Sequence, residues 1–267
     1  MKKTTVTHYE INIKRPGAGE GSIRAAFVTD LHNASWAGDE DALPDIIGDQ
    51  KPDIILCGGD MIVAHPGVSV APAVYFMERM ADIAPVYMGF GNHEYRSRLY
   101  REQYGSMYTD FFTPILKCGV NVLYNSSKSL TLNGVKLFIS GLEIPRRYYG
   151  RFRKLTYTAE QIEHKLGKLP EAEASVLLAH NPKYRAAYYD WGADLTLCGH
   201  YHGGVMGLTE HTGLISPDLH PFDGACHGHF LKNGRSLIVS AGLGEHTIPF
   251  RINNPRELVI VDMAVNV

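Results

Sequence analysis

Five short polar blocks in this chain carry residues able to bind metal ions: DLH at 30–32, GGD at 58–60, GNHE at 91–94, AHN at 179–181 and GHYHGG at 199–204. Together they supply Asp30, His32, Asp60, Asn92, His180, His200 and His202, with His93 and Glu94 beside them. Carboxylate, imidazole and amide oxygen make a mixed ligand set that suits Mn²⁺, Fe or Zn²⁺ better than the all-oxygen shell of Ca²⁺. Seven ligands are too many for one tetrahedral ion and suit two ions sharing a bridging carboxylate. Two-metal sites hold their ions about 3.5–4 Å apart and clamp the attacking and leaving oxygens of an in-line displacement. That is the chemistry of phosphate-ester hydrolysis. In extended chain, residues i and i+2 point the same way. Asp30 with His32, and His200 with His202, are therefore expected to face one point, the flanking glycines giving the backbone freedom to turn.

Each block also has a plain reading. An aspartate at a strand end is commonly a turn former, and AHNP reads as a helix start with Asn181 capping and Pro182 at the first position. GNHE and GHYHGG are harder to explain by packing. The joint occurrence decides, because each block follows an apolar run.

Those runs define the elements. Residues 5–13 read as an edge strand; 23–28, 53–57 and 85–90 are short apolar strands; 39–50, 70–83 and most of 100–119 read as helices. A strand–helix alternation predicts a largely parallel sheet with helices packed on it. Strands apolar throughout are expected where both faces are covered, and open α/β sheets build their sites at the strands' carboxyl ends. The second half is richer in strand. Residues 119–124, 129–132 and 135–141 suggest a meander turning at Asn133-Gly134, and 158–169 a helix capped by Thr158. Strands follow at 174–182 and 193–204, then a hairpin over 227–242 at Asn233-Gly234 and a closing strand at 257–265. No repeat or linker interrupts the chain, so residues 1–267 are expected to form a single domain.

The ordered series D-x-H, G-D, G-N-H-[ED], H and G-H-x-H, spanning residues 23 to 204, resembles the calcineurin-like metallophosphoesterase family. The tail after GHYHGG is similar to the branch of small bacterial phosphoesterases that includes membrane-associated, cell-envelope-linked enzymes. Members of that branch often have a glycine soon after D-x-H, where this chain has Asn33, Ala34 and Ser35. The resemblance implies an α/β fold built as a four-layer α/β/β/α sandwich, two mixed sheets flanked by helices. It implies one divalent ion (Mn, Fe or Zn) on Asp30, His32, Asp60 and His202, and a second on Asp60, Asn92, His180 and His200, with Asp60 bridging. A metal-bridging hydroxide would attack phosphorus. His93 would be the general acid for the leaving oxygen or would stabilise phosphoryl charge, roles that an ordinary histidine pKa suits. Glu94 reads equally as a partner orienting His93 and as a surface acid at a helix start.

Two basic–aromatic runs could meet a phosphate: EYRSRLYRE with Arg96, Arg98 and Arg101, and PRRYYGRFRKLTY (145–157) with Arg146, Arg147, Arg151 and Arg153. Arg96, Arg146 and Arg147 are the candidate substrate contacts. Of the eight histidines outside the five blocks, His227 and His229 repeat the His-x-His spacing; the others, including His65, read as structural or exposed.

The net charge of −2 gives no global attraction for nucleic acid or an anionic membrane, and the basic residues are too local for a nuclease groove. The four cysteines, Cys57, Cys118, Cys198 and Cys226, form no C-x-x-C pair and read as reduced thiols. The start has two lysines with no apolar stretch behind them, and no window suits a membrane span. Both points predict a cytoplasmic protein, in solution or peripheral at a membrane. The expected activity is a metal-dependent phosphodiesterase acting on a small-molecule, lipid or cell-envelope phosphate ester. A phosphomonoesterase on the same ligands and a non-catalytic metal-binding scaffold are the alternatives.

Overall fold

The computed structural model describes residues 4–35, 42–150, 155–203, 226–244 and 255–266. Two six-stranded sheets carry the fold. The first has the order β1-β12-β2-β3-β4-β5, formed by Thr4–Lys14 (β1), Gly21–Val28 (β2), Ile54–Cys57 (β3), Val86–Met88 (β4), Asn121–Val122 (β5) and Arg256–Asn266 (β12). The second has the order β10-β11-β9-β8-β7-β6, from Ser126–Leu132 (β6), Val135–Leu142 (β7), Ala174–Ala179 (β8), Leu195–Cys198 (β9), Gly228–Lys232 (β10) and Arg235–Val239 (β11). Both sheets are mixed. β2 through β5 run parallel while β12 is antiparallel to β2. β7, β8, β9 and β11 run parallel while β6 and β10 are antiparallel partners at the edges.

Alternation within the buried strands builds the layers. Ile54 and Leu56 of β3 face Leu137, Ile139, Val176 and Leu178 of the other sheet, in a core that lies between the two sheets. Ile55 and Cys57 point outward, under helices Ala42–Asp49 (α1), Ala71–Ile83 (α2) and Met107–Lys117 (α5). Leu177 and Ala179 of β8 point the other way, under Ala159–Leu166 (α6) and Arg185–Trp191 (α7). The result is the expected α/β/β/α sandwich, with three apolar layers. Thr158 caps α6 as its sequence suggests, its Oγ1 accepting from the Gln161 N–H at 3.4 Å. Both Asn-Gly hairpins form, with Asn133 and Asn233 in the left-handed region.

Two elements depart from the sequence reading. The meander over 119–141 does not form, because β5 pairs with β4 in the first sheet while β6 and β7 make a hairpin in the second. Between them the chain crosses from one sheet to the other. Leu123 is buried in the inter-sheet core, and left-handed Asn125 accepts the Glu143 N–H at 2.9 Å. The stretch 100–119 is not one helix either. A helix begins at Asn92 and ends at Leu99 (α3), a short turn of helix covers Arg101–Tyr104 (α4), and Gly105 at φ +59° breaks the chain before α5. Pro114 is accommodated inside α5.

Leu56 is fully buried between the sheets. Leu56→Ala leaves a cavity that neither sheet can close, and it should cost about 3 kcal/mol of stability. The check is a fall in the urea midpoint with the denaturant slope unchanged.

Candidate metal centre

The five blocks converge where β2, β3, β4, β8 and β9 end, at the carboxyl edge of both sheets. The backbone arrangement differs from the extended geometry expected of His-x-His. Asp30, His32, Asp60, His200 and His202 all have φ between +48° and +67°, the left-handed region. Such conformations are costly for residues with a side chain, and they persist where the surroundings over-determine them. Here the surroundings are backbone bonds between loops. The N–H groups of Asp30, His32 and Asn33 donate to the carbonyls of Gly59, Asp60 and Met61, each at 3.0 Å. Left-handed turns, not strand alternation, aim the paired side chains at one space. Glycine allows the close approach: a Cβ on Gly199 would overlap Asp30 Oδ2 and Thr29 Oγ1, and one on Gly91 would overlap Asp60 Oδ1.

Three overlapping groups of ligand atoms result, each within 4.8 Å across. The first is Asp30, His32 and His202, the second is Asp60, His180 and His200, and His32, Asp60 and His93 make a third. In the first, Asp30 Oδ1 lies 3.2 Å from His202 Nε2 and 3.7 Å from His32 Nε2, and the two imidazole nitrogens are 3.1 Å apart. In the second, His180 Nε2 is 3.0 Å from Asp60 Oδ2. The groups adjoin, since Asp60 Oδ2 is also 4.0 Å from His32 Nε2 and Asp30 Oδ1 is 3.8 Å from His180 Nε2. Asn92 completes the seven, and its buried Oδ1 has no hydrogen-bond partner among the described residues.

The remaining lone pairs are held so that the ligand atoms stay free. His180 Nδ1 faces the Gly58 carbonyl at 2.9 Å, which places a hydrogen there and, in the neutral ring, leaves Nε2 as the acceptor. Asp30 is buried and receives the Thr29 hydroxyl at 2.8 Å and the His200 N–H at 3.0 and 3.1 Å. The His93 N–H donates to Asp60 Oδ1 at 2.8 Å. Burial alone would raise both carboxyls. Instead His202 and His180 hold Asp30 well below the usual carboxylate range, and His180 and His93 do the same for Asp60. In return, and against its own burial, His180 is pushed up to about 10 by Asp60 and Asp30. Burial and then His180 keep the His200 ring well below its ordinary pKa. Two buried, ionised carboxylates demand positive charge, supplied by a proton on His180 or by divalent cations. A mixed set of carboxylate oxygens, imidazole nitrogens and an unpartnered amide oxygen fits the cations.

Glu94 settles differently from both of its sequence readings. It is fully buried and it does not touch His93. Its carboxylate accepts the N–H groups of Asp60 at 2.8 Å, Met61 at 2.8 Å, Gly91 at 2.9 Å and Ile62 at 3.4 Å, so it ties the GGD turn to the GNHE turn. Burial and then Asp60 push its pKa up to about 7, and the backbone donors work against that rise. His93 is oriented instead by the Ala64 N–H, which donates to Nδ1 at 2.8 Å. The neutral ring therefore carries its hydrogen on Nε2. Burial brings the His93 pKa down to about 4, away from the ordinary value its expected role relied on.

A cleft of about 320 Å³ opens onto these residues, lined also by Val63, Ala64, His65 and Arg96. Arg96 thus lies in the wall, with its Nη2 donating to the Tyr104 hydroxyl at 2.5 Å. Arg146 is exposed, donating to the Tyr100 hydroxyl at 2.8 Å, and Arg147 lies over the Tyr148 ring at 5.1 Å; neither lines the cleft. Arg98 is turned to buried Glu143 at 3.2 Å. Arg151 and Arg153 lie outside the described residues. Asn181 does cap, its Oδ1 accepting the Lys183 N–H at 3.0 Å, so AHN contributes one ligand and one cap. His227 and His229 have structural partners in Glu257 at 2.9 Å and Ser236 at 3.0 Å, away from the centre. The sequence reading passed over two residues. His65 stands at the mouth of the cleft, and Tyr149 packs edge-on to His200 with ring centroids 5.3 Å apart. Only proximity in sequence to GGD signalled the first, and the tyrosine-rich 145–157 run the second.

Residues 23–206 match the family model described as calcineurin-like phosphoesterase. The chain belongs to that family. It is 28% identical over 191 residues to phosphodiesterase YaeI of Escherichia coli strain K12, covering 69% of this chain and 62% of YaeI. It is 24% identical over 265 residues to the Caenorhabditis elegans protein F40B5.2, covering 95% of this chain and 51% of that one. The chain thus spans about half to three-fifths of the length of these relatives. Among solved structures, a 5'-nucleotidase precursor from Thermus thermophilus superposes with a TM-score of 0.49 at 13% identity, over 91% of this chain and 54% of that one.

Glu94→Gln puts an amide N–H₂ against backbone donors. It should weaken divalent-ion binding about 10–100-fold, in line with losses of outer-shell partners. Calorimetric titration of metal-stripped protein with Mn²⁺ checks this, with circular dichroism confirming the fold.

Proposed function

We propose that this chain hydrolyses a phosphodiester with two divalent ions bound, one on Asp30, His32, Asp60 and His202 and the other on Asp60, Asn92, His180 and His200. The observation that carries the reading is the buried, adjoining pair of ligand groups with an orphaned Asn92 oxygen. When bound, the ions supply Lewis acidity to the phosphoryl oxygens and lower the pKa of attacking water. The chain's own part is to hold the ester in line and to meet the charge that develops. Water oxygen bonds to phosphorus as the ester P–O bond breaks, and the departing oxygen gathers negative charge.

His93 is the residue suited to meet that charge. With Ala64 donating to Nδ1, the ring presents Nε2–H. An imidazolium would set two N–H donors against each other at Ala64. Full transfer of the Nε2 proton would leave an imidazolate. His93 therefore acts as a fixed neutral donor to the leaving or phosphoryl oxygen, and the leaving oxygen takes its proton from water. Preorganised donors of this kind are worth about 10²–10³-fold in kcat.

Two observations favour a diester over a monoester. YaeI, a relative, is described as a phosphodiesterase. Beyond the ligands, the cleft wall among the described residues offers one permanent cation, Arg96, for a non-bridging oxygen. A monoester dianion asks for more.

Bis-p-nitrophenyl phosphate and metal-stripped protein test the reading. Turnover should appear with added Mn²⁺ and be lost in Asp60→Asn. His93→Ala should retain the metal and lose about 10²–10³-fold in kcat. No turnover by folded, metal-loaded protein would sink the diesterase reading, and p-nitrophenyl phosphate turnover in its place would establish a monoesterase.

A further inference from the structure

A second and larger hollow lies beside the metal cleft. It measures about 620 Å³ and runs between the start of α2 and the turn joining α4 to α5. Its apolar lining comes from Val68, Val70, Val74, Tyr75, Tyr104 and Met107. Val68 and Tyr75 are each 39% exposed, a large fraction for an aliphatic and an aromatic side chain that face a concave wall. Its only charged lining residues are Glu78 and Asp110, and no lysine or arginine among the described residues lines it.

The two hollows share a wall. Residues 63–65 line the metal cleft and residues 67–70 line the larger one, so one loop has a face on each. That loop is folded on itself, with the His65 N–H donating to the Val63 carbonyl at 2.9 Å and the Val68 N–H to the His65 carbonyl at 3.2 Å. From His65 to Val68 is three residues, at most about 10 Å of chain, and less once turned. A second link runs through side chains. Arg96 lines the metal cleft, Tyr104 lines the larger hollow, and they are joined by the hydrogen bond at 2.5 Å. The larger hollow is therefore separated from the metal cleft by a single loop and a single side-chain contact.

We propose that this hollow is a subsite for the non-leaving ester arm of the substrate, and that the arm is apolar and carries no negative charge. The inference rests on the diesterase reading above, because a diester keeps one organic arm after the other departs. The lining gives the class. Tyrosine, valine and methionine surfaces gain by covering an apolar group, while Glu78 and Asp110 repel an anionic one. Nucleic acids and oligophosphates, whose arms repeat the negative charge, are disfavoured on that ground.

The test uses the whole chain loaded with Mn²⁺ and a set of p-nitrophenyl phosphodiesters whose second ester is methyl, phenyl or 4-carboxyphenyl. The phenyl ester should have a KM about ten-fold below the methyl ester, the scale of discrimination open to an apolar pocket. Tyr75→Ala should erase that ratio while leaving the methyl ester unchanged. The 4-carboxyphenyl ester should bind more weakly than the phenyl ester, and Glu78→Lys should recover it. A second readout needs no turnover. With ¹³C-methyl-labelled methionine, the Met107 resonance, assigned through Met107→Leu, should shift on titration with diphenyl phosphate and stay in place with dimethyl phosphate. Equal KM values for the methyl and phenyl esters, or a Met107 signal indifferent to diphenyl phosphate, would overturn the subsite. If no diester is hydrolysed but Met107 still shifts selectively, the diesterase reading fails and the apolar binding site stands.

Discussion

Two buried carboxylates set the terms for this fold. Asp30 and Asp60 are ionised yet almost wholly removed from water, and an isolated charge in such a place would cost many kcal/mol. What surrounds them is an arrangement of compensations. Imidazoles of His180 and His202 from the second sheet approach within 3.0–3.2 Å and His32 from the first within 3.7–4.0 Å, backbone N–H groups of His93 and His200 donate to their oxygens, and the Thr29 hydroxyl adds another bond. The two sheets must pack face to face for this to happen, because Asp30 and Asp60 leave the first sheet while His180 and His200 leave the second. The inter-sheet core of Phe27, Leu56, Leu137 and Leu178 therefore fixes the distance across the centre as well as stabilising the fold.

Local backbone strain is the other consequence. Five of the candidate ligand residues sit at positive φ, at a cost of order 1–3 kcal/mol each where nothing offsets it. Three backbone bonds between the loops at 30–33 and 59–61 and the four N–H groups gathered by Glu94 hold the turns in place. Glu94 illustrates how such a centre is preorganised at one remove. It touches no ligand atom, yet it fixes the backbone on both sides of Asp60 and just before Asn92.

The layer architecture was legible in the sequence because buried strands such as IILC and ASVLLA are apolar on both faces, and each is followed by a polar, glycine-bearing exit. The convergence of the candidate ligands was legible for the same reason: they are the polar residues at those exits. How those side chains are aimed was not legible. Alternation along a strand predicts that Asp30 and His32 share a face, and they do meet, but through left-handed turns that a period of two does not describe. The crossing at 123–125 was invisible because Leu123 and Val122 look like any apolar pair, and which sheet they join depends on partners far along the chain. Glu94 was misread because its decisive contacts are to backbone N–H groups, which no side-chain pattern encodes, and the Ala64 N–H that meets His93 was hidden for the same reason.

The tautomer of His93 shows how a backbone contact decides chemistry. An exposed histidine would titrate near neutrality and could give up a proton. Here the Ala64 N–H occupies Nδ1, and the interior disfavours a second proton on a ring already facing His32 and Arg96. A divalent ion held by Asn92, the neighbouring residue, would add positive charge to that environment and disfavour the imidazolium further. The contact from Ala64 thus favours the tautomer with its hydrogen on Nε2. Ala64 belongs to the loop whose outer face begins the apolar hollow, so the segment that sets the His93 tautomer also walls both hollows.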